Sequence, residues 1–377
     1  MRRLDRGLMV MPYSREAMRA ELNDLARGAA HVAIVSEKIR EVATAMRQEL
    51  AASDGSFHTD PQQYPNESPL QNDRHTLQFY LVVTSQEFCI WRRGDEGRVE
   101  AWTIEVGGQR YVGARGIAAA HIRALRQGRD ILDPHYLASM TLQDVMDFYR
   151  DEHTGQVTLQ MLPQRLAKFN ELGRVLLGRY GGHVTNLLGQ TGGYLFRGDD
   201  GGLVQRLLLD FPTSYFDWPF CKLAILLAKF LATRKSDGIP TTDEYRALTQ
   251  IRDAENFEIA ADYYIPLFFI RSGIFRVSDP LAAALRAQRL IGRDSRMERE
   301  YRACTIVAGR ALAEETGRPL SAVDTECWKT GYLRCRLCRE GISDEELPCP
   351  YRSVSKAYQQ EHLLMEMRWP LVLTTCY

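Results

Sequence analysis

From Gly113 onward the apolar residues recur almost without interruption at helical spacing, and this restricts the chain to a predominantly helical body. Leu142, Val145, Met146 and Tyr149, for example, fall on one face of a helix. The periodicity predicts helices at 115–127, 141–150, 162–180, 203–209, 219–234, 243–252, 256–272, 279–291, 297–316 and 355–367. Upstream, 15–50 is also helical in pattern, and 51–73 is rich in Ser, Pro, Asn, Gln and Asp and reads as a loop. Between them and Gly113 lies a strand signal: FYLVV (79–83), EFCIW (87–91) and EAWTIEV (100–106), with GGQRYVG (107–113) as a hairpin turn. The expected class is α+β, mostly helical, with a small antiparallel sheet ahead of the helical body. Three regions follow: 1–75, helices and a loop; 76–318, the main domain; 319–377, a cysteine-bearing tail.

Composition narrows the function. With 48 basic and 48 acidic residues there is no global positive field, so any nucleic-acid surface must be local. The N-terminus has no apolar core of a signal peptide. The longest apolar run, 220–232, is broken by Lys222 and Lys229 and is too short to span a bilayer. A cytoplasmic protein without a membrane partner is expected, in which clustered cysteines read as metal ligands before disulfides.

Several segments can carry chemistry. In AADYYIPLFFIRSGIFRVSDPL (260–281), Asp262 sits in apolar surroundings, Gly273 offers a turn, and Ser278 with Pro280 opens a second helix, a helix–hairpin–helix-like pattern. Burial would raise the Asp262 pKa and suit it to activating a water; the alternative is a structural aspartate satisfied by helix-end amides. Around Glu87, the aromatics Phe79, Tyr80, Phe88 and Trp91 suit a flat heterocycle or make ordinary core. DFPTSYFDWPFCK (210–222) brings Asp217 and Lys222 into a rigid, aromatic segment of the kind that lines pockets, or pins a loop. Near Cys304, Glu300 and Arg302 read as a buried ion pair, and a nucleophilic Cys304 lacks a visible base.

Four of the eight cysteines, Cys327, Cys335, Cys338 and Cys349, fall in one short stretch, and the Cys-x-x-Cys step within it lets two thiolates meet one metal. The stretch resembles the iron–sulfur loop of endonuclease III-type DNA glycosylases, which implies a 4Fe-4S cluster; its spacings depart from that pattern and leave structural zinc open. Arg334, Arg336, Arg339 and Arg352 surround it as a phosphate-facing, DNA-binding patch.

In order, FYLVVTSQEFCIW, GGQRYVGARGIAAAHIRALRQGRDILDPHYLASMTLQDV, RLAKFNELGRVLLGRYGG, DFPTSYFDW, CKLAILLAKF, AADYYIPLFFIRSG and EREYRACTI resemble the queuosine-salvage family, whose members are queuosine 5′-phosphate N-glycosylase/hydrolases. The resemblance implies a DNA-glycosylase-like helical body, a catalytic Asp262, and a base site of Glu87, Phe88, Trp91, Asp217, Lys222, Tyr263 and Tyr264. Phe88, Trp91, Asp262, Glu300 and Arg302 match the family pattern. Thr84 stands in place of its Asp, Glu87 of its Asn, Leu223 of an Arg, and Tyr264 of the Arg in an Ala-Asp-Tyr-Arg motif. These departures, with the cysteine tail, are similar to a paralogous group, the DpdC component of the bacterial 7-deazaguanine DNA-modification system. That similarity implies hydrolysis of the nitrile of 7-cyano-7-deazaguanine in DNA to the amide, with DNA and other proteins of the system as partners. Glu87 would then read the guanidine-like edge of the base. Release of queuine from queuosine 5′-phosphate, or non-catalytic reading of modified DNA, are the alternatives.

Overall fold

The computed structural model describes residues 13–52, 70, 72–94, 97, 99–233, 242–335 and 349–377. The chain opens with α1 (Arg15–Arg27), whose N-cap Ser14 accepts a hydrogen bond from the Ala17 amide, then β1 (Val32–Ile34) and α2 (Ser36–Ala52). Next come α3 (Asp73–Ser85), β2 (Trp91–Arg93), β3 (Val99–Ala101), β4 (Thr103–Val106) and β5 (Gln109–Val112). The helical body follows as α4 (Ala114–Arg126), α5 (Pro134–Ser139), α6 (Leu142–Phe148), α7 (Leu162–Tyr180), α8 (Val184–Thr191) and α9 (Leu203–Asp210). It continues with α10 (Pro212–Tyr215), α11 (Lys222–Thr233), α12 (Asp243–Thr249), α13 (Tyr264–Ser272), β6 (Phe275–Val277) and α14 (Asp279–Arg286). The last helices are α15 (Arg296–Thr316), α16 (Leu320–Lys329) and α17 (Lys356–Gln359).

The architecture is mostly helical with small antiparallel sheets, and the strands divide into three two-stranded pairs: β1 with β6, β2 with β3, and β4 with β5. The β1–β6 pair, with Val32 opposite Val277, joins the N-terminal region to the segment after α13. Gly273 ends α13 in the left-handed region at φ 88°, a conformation open to glycine at little cost. The long α15 packs on α1, α2 and α16, and α11 lies on α3.

Three expectations are corrected. Residues 79–83 belong to α3, not to a strand: from Thr76 to Ser85 every residue is buried, so the apolar run carries no periodicity that separates a buried helix from a buried strand. Glu87 and Phe88 form the irregular link from α3 to β2 rather than a strand, and β2 begins only at Trp91. The helix expected over 256–272 begins at Tyr264, because the chain before it is irregular and the Asp262 carboxylate caps the first turn. In the other direction, α16 extends helix into the region expected as tail; Gly331 just beyond it lies so close to the Tyr264 carbonyl that an added Cβ would stand 2.2 Å from that oxygen. Among the described residues no helix is long and apolar enough to cross a membrane.

Candidate active site

Glu87 enters the site because its flanking backbone is clamped. Arg165 of α7, fully buried, donates to the carbonyls of Gln86 at 2.7 Å and Phe88 at 2.6 Å. The same guanidinium lies 4.1 Å from the centre of the Phe88 ring, and the Lys168 ammonium lies 4.3 Å from it. Lys168 donates to the carbonyls of Ser214 and Thr375, and burial drives its pKa down to about 7. Cys89, two residues beyond Glu87, adopts φ 46°, and Cys221, just before Lys222, adopts φ 51°. Left-handed backbone at two non-glycine residues is local strain, held here by the packing around the site.

The Asp262 carboxylate accepts the amides of Tyr264 at 2.8 Å and Ile265 at 3.1 Å, at the positive end of α13. Its loop is fixed by Asp324 of α16, which accepts the Ala260 amide at 2.7 Å and pairs with buried Lys229 of α11. Burial raises the Asp262 pKa, against the pull of Lys222, the two amides and Lys229. Glu87 lies close enough to feel both Lys222 and Asp262. Burial takes its pKa up to about 7, with Lys222 lowering it and Asp262 raising it. Lys222 donates from Nζ to the Glu87 carbonyl at 3.0 Å, and its own pKa is lowered by burial while both carboxylates oppose the fall. The Glu87 carboxyl makes no hydrogen bond to another described residue. Its hydrogen-bonding capacity is left available to a ligand.

A second layer holds this group. Asp217 accepts the Lys222 amide at 3.1 Å and takes a bidentate pair from Arg302 of α15 at 2.8 and 2.6 Å, all of it buried. Arg302 also lies 4.0 Å from the Phe220 ring centre and 4.3 Å from that of Tyr377. Residues 369–377 pass beside the site: the Tyr377 carbonyl accepts the Cys89 amide at 2.8 Å, and the Tyr377 hydroxyl donates to Glu298.

The structure thus brings together Glu87, Asp262 and Lys222, with Asp217 behind Lys222. Phe88 and Tyr263 are buried beside them, Phe88 occupied by cations and Tyr263 tilted against Tyr264 with ring centres 4.6 Å apart. Tyr264 packs its ring against Tyr332 at 5.1 Å and Trp369 at 5.5 Å, so an aromatic stands where the resemblance has a cation. Trp91 is buried at the start of β2 opposite Ala101, and among the described residues no hydrogen bond joins it to the carboxylates.

The expected Glu300–Arg302 pair does not form. Glu300 accepts the Ala30 and His31 amides and pairs with Arg296, while Arg302 turns to Asp217. One turn of helix separates residues by three or four positions, not two, so the two side chains leave α15 in different directions. Cys304 and Cys221 are fully buried, and burial pushes the Cys304 thiol up to about 12 and the Cys221 thiol well above its usual value, so neither supplies a thiolate.

In the cysteine stretch, Cys338, Arg336 and Arg339 lie outside the described residues. Cys335 and Cys349 line one small cavity with Arg271, and Cys327 is buried on α16. Among the described residues no three His, Cys, Asp or Glu side chains come together to hold a metal, so the described donors do not by themselves make up the ligand set of a cluster or a zinc. Arg334 is half-buried 3.8 Å from Glu49, and exposed Arg352 lies 5.2 Å from the Tyr358 ring centre.

Lys168, Lys229, Arg165 and Asp324 were not expected at the site. Lys229 had a legible signal, a lysine inside the apolar run KLAILLAKF, because a buried ammonium needs a carboxylate partner. Arg165 and Asp324 lie far along the chain from what they hold and left none.

The sequence profile described as "Queuosine salvage protein" matches residues 67–331, which include the whole carboxylate–lysine group. The chain is similar to the protein named queuosine 5′-phosphate N-glycosylase/hydrolase of Sphaerobacter thermophilus, 28% identical over 295 residues, 75% of this chain and 84% of that one. It is also similar to the proteins of the same name from Mus musculus, at 27% identity over 63% of this chain and 68% of that one, and from Schizosaccharomyces pombe, at 25% over 66% and 72%. A match over more than half its length places the chain in the queuosine salvage protein family.

Proposed function

We propose that the protein is a hydrolase that cleaves the N-glycosidic bond of a 7-deazaguanine nucleotide, with Asp262 as the base that activates water and Glu87 as the acid facing it. The observation that carries the reading is the pair of buried carboxyl groups, Asp262 with two amide donors and Glu87 with none. Two amides and two lysines favour the ionised form of Asp262, while Glu87 has no such amides and titrates at about 7. Burial raises both carboxyls, and the groups that oppose the rise are more numerous at Asp262; that inequality divides the roles of base and acid. Water gives its proton to Asp262 as its oxygen bonds to the anomeric carbon; the carbon–nitrogen bond breaks, and the departing base takes a proton from Glu87. Lys222, within the field of both groups, lowers the pKa of each and offsets part of the rise that burial imposes on them. The curated relatives carry the name of this activity.

A second reading is favoured by two replacements, Glu87 and Tyr264. The same acid and base would serve hydrolysis of the nitrile of 7-cyano-7-deazaguanine in DNA, Asp262 activating the water and Glu87 protonating the nitrile nitrogen. Tyr264, packed among Tyr263, Tyr332 and Trp369, puts an aromatic ring at that place instead of an arginine that could meet the phosphate of a free nucleotide. Incubation with queuosine 5′-phosphate and, separately, with an oligonucleotide carrying 7-cyano-7-deazaguanine tests the two. Free queuine from the first supports glycosidic cleavage; an amide-bearing base in the second, with no free queuine, replaces it with the nitrile reading.

Both readings give the site a pH dependence. The Glu87 pKa rises from 4.5 to about 7 on folding, so between those values the folded state holds a proton that the unfolded chain has lost. Its contribution to stability is therefore most favourable below 4.5 and is lost as pH rises through about 7. Catalysis that needs the Glu87 proton is expected to fall on the alkaline side of about 7. In the pH profile of kcat/KM, Glu87→Gln should be slower and should lack this limb; an unchanged limb would remove Glu87 from the acid role.

A further inference from the structure

One cleft outside the carboxylate group is built from β3, the β4–β5 hairpin, α13 and the 367–369 segment and has a marked excess of positive charge. Its volume is about 400 Å³, within the range of small-molecule sites. The β4–β5 hairpin places Thr103, Arg110 and Val112 along it, with Thr103 directly opposite Val112 in the antiparallel register. Leu267 and Arg271, one helical turn apart, line it from α13, and Met367, Arg368 and Trp369 close it. Against three arginines stands one carboxylate, Glu100, itself 3.4 Å from Arg92.

The arginines differ in what already holds them. Arg271 is buried and donates to the carbonyls of Cys335, Met365 and Met367, yet its Nε has no partner. Arg110 is exposed and Arg368 half-exposed, and neither side chain makes a hydrogen bond or ion pair to another described residue. A buried guanidinium with a donor unused, flanked by two cations that form no ion pair with another described residue, suits an anion.

The cleft and the carboxylates share two structural elements. α13 begins at Tyr264, whose amide binds Asp262, and carries Arg271 seven residues later, about 10 Å along the helix axis. Trp369 lines the cleft on one side and packs on Tyr263 and Tyr264 on the other. We infer that this cleft binds a phosphate group of the substrate, supplying through Arg110, Arg271 and Arg368 the positive charge that Tyr264 does not. The inference rests on the reading of the substrate as a nucleotide, free or within a strand. A phosphate monoester and a phosphodiester present the same oxygens to arginine, and a cleft of this volume admits either.

Binding is the test, because it does not depend on which bond is hydrolysed. The probes are a fluorescently labelled single-stranded oligodeoxynucleotide with unmodified bases, read by anisotropy at two salt concentrations, and guanosine 5′-monophosphate against guanosine, read by calorimetry. The variant is Arg110→Glu with Arg368→Glu; Arg110→Gln with Arg368→Gln replaces it if thermal melting shows a loss of fold. Arg271 is left intact because it also ties α13 to 365–367. If the phosphate belongs to a strand, the oligonucleotide binds, the variant weakens it at least about tenfold, and the slope of log affinity against log salt falls by about 1.4 for two lost contacts. If it is a terminal phosphate, the monophosphate binds more tightly than guanosine and the variant abolishes the difference. Binding of neither probe, or binding that the variants leave unchanged, overturns the inference. Hydrolysis without the expected product, with phosphate-dependent binding intact, would count against the proposed reaction and not against the cleft.

Discussion

Asp262→Asn is expected to lower turnover by about two to four orders of magnitude, the usual worth of a positioned general base, with little change in melting temperature. The asparagine oxygen still accepts the Tyr264 and Ile265 amides, so the first turn of α13 keeps its cap. What is lost is the negative charge beside Lys222 and the capacity to take a proton from water. The comparison of kcat with melting temperature separates the roles. A variant that melts normally and turns over at near the original rate would make Asp262 a structural aspartate, the alternative that its sequence context left open.

The largest loss of stability is expected at Arg302→Met. Asp217 and Arg302 are both nearly fully buried and joined by two short charge-assisted hydrogen bonds. Removing only the cation leaves an uncompensated carboxylate inside the protein, at a cost of about 3–5 kcal/mol. Chemical denaturation measures this directly. Combining Arg302→Met with Asp217→Asn removes the buried charge while an oxygen remains for the Lys222 amide, so the double variant should recover part of the loss. A double variant as unstable as the single one would show that Arg302 acts through its packing on Phe220 and Tyr377 instead.

The helical body was legible because its signals were local. α7 and α15 fall within a residue of their expected ends, where helical periodicity and the flanking Gly181 and Gly317 mark them. α3 was misread because an apolar run buried all round has no face to show, and its N-cap, Asn72, stood in a stretch that read as loop. At the site, the burial of Asp262 was visible in a carboxylate surrounded by apolar residues. Its neighbours were less so: Arg302 was visible as a buried cation, but its partner is 85 positions away and cannot be found by spacing. The three cleft arginines come from a hairpin, a helix and the 367–369 segment, and nothing in a linear pattern joins them. The arginines around the cysteines, adjacent in sequence, drew attention for that adjacency, whereas Arg334 in fact lies half-buried near Glu49.

The water activated at Asp262 is expected to end on the anomeric carbon of a 7-deazaguanine nucleotide. Hydrolysis in oxygen-18 water, with mass spectrometry of both products quenched before the anomeric hydroxyl of the freed sugar exchanges with solvent, follows that oxygen. Label in the ribose phosphate, with the released base unlabelled and the Asp262→Asn protein producing neither, is the predicted result. Label in an amide on a base still attached to its sugar would contradict glycosidic cleavage and assign the carboxylate pair to the nitrile.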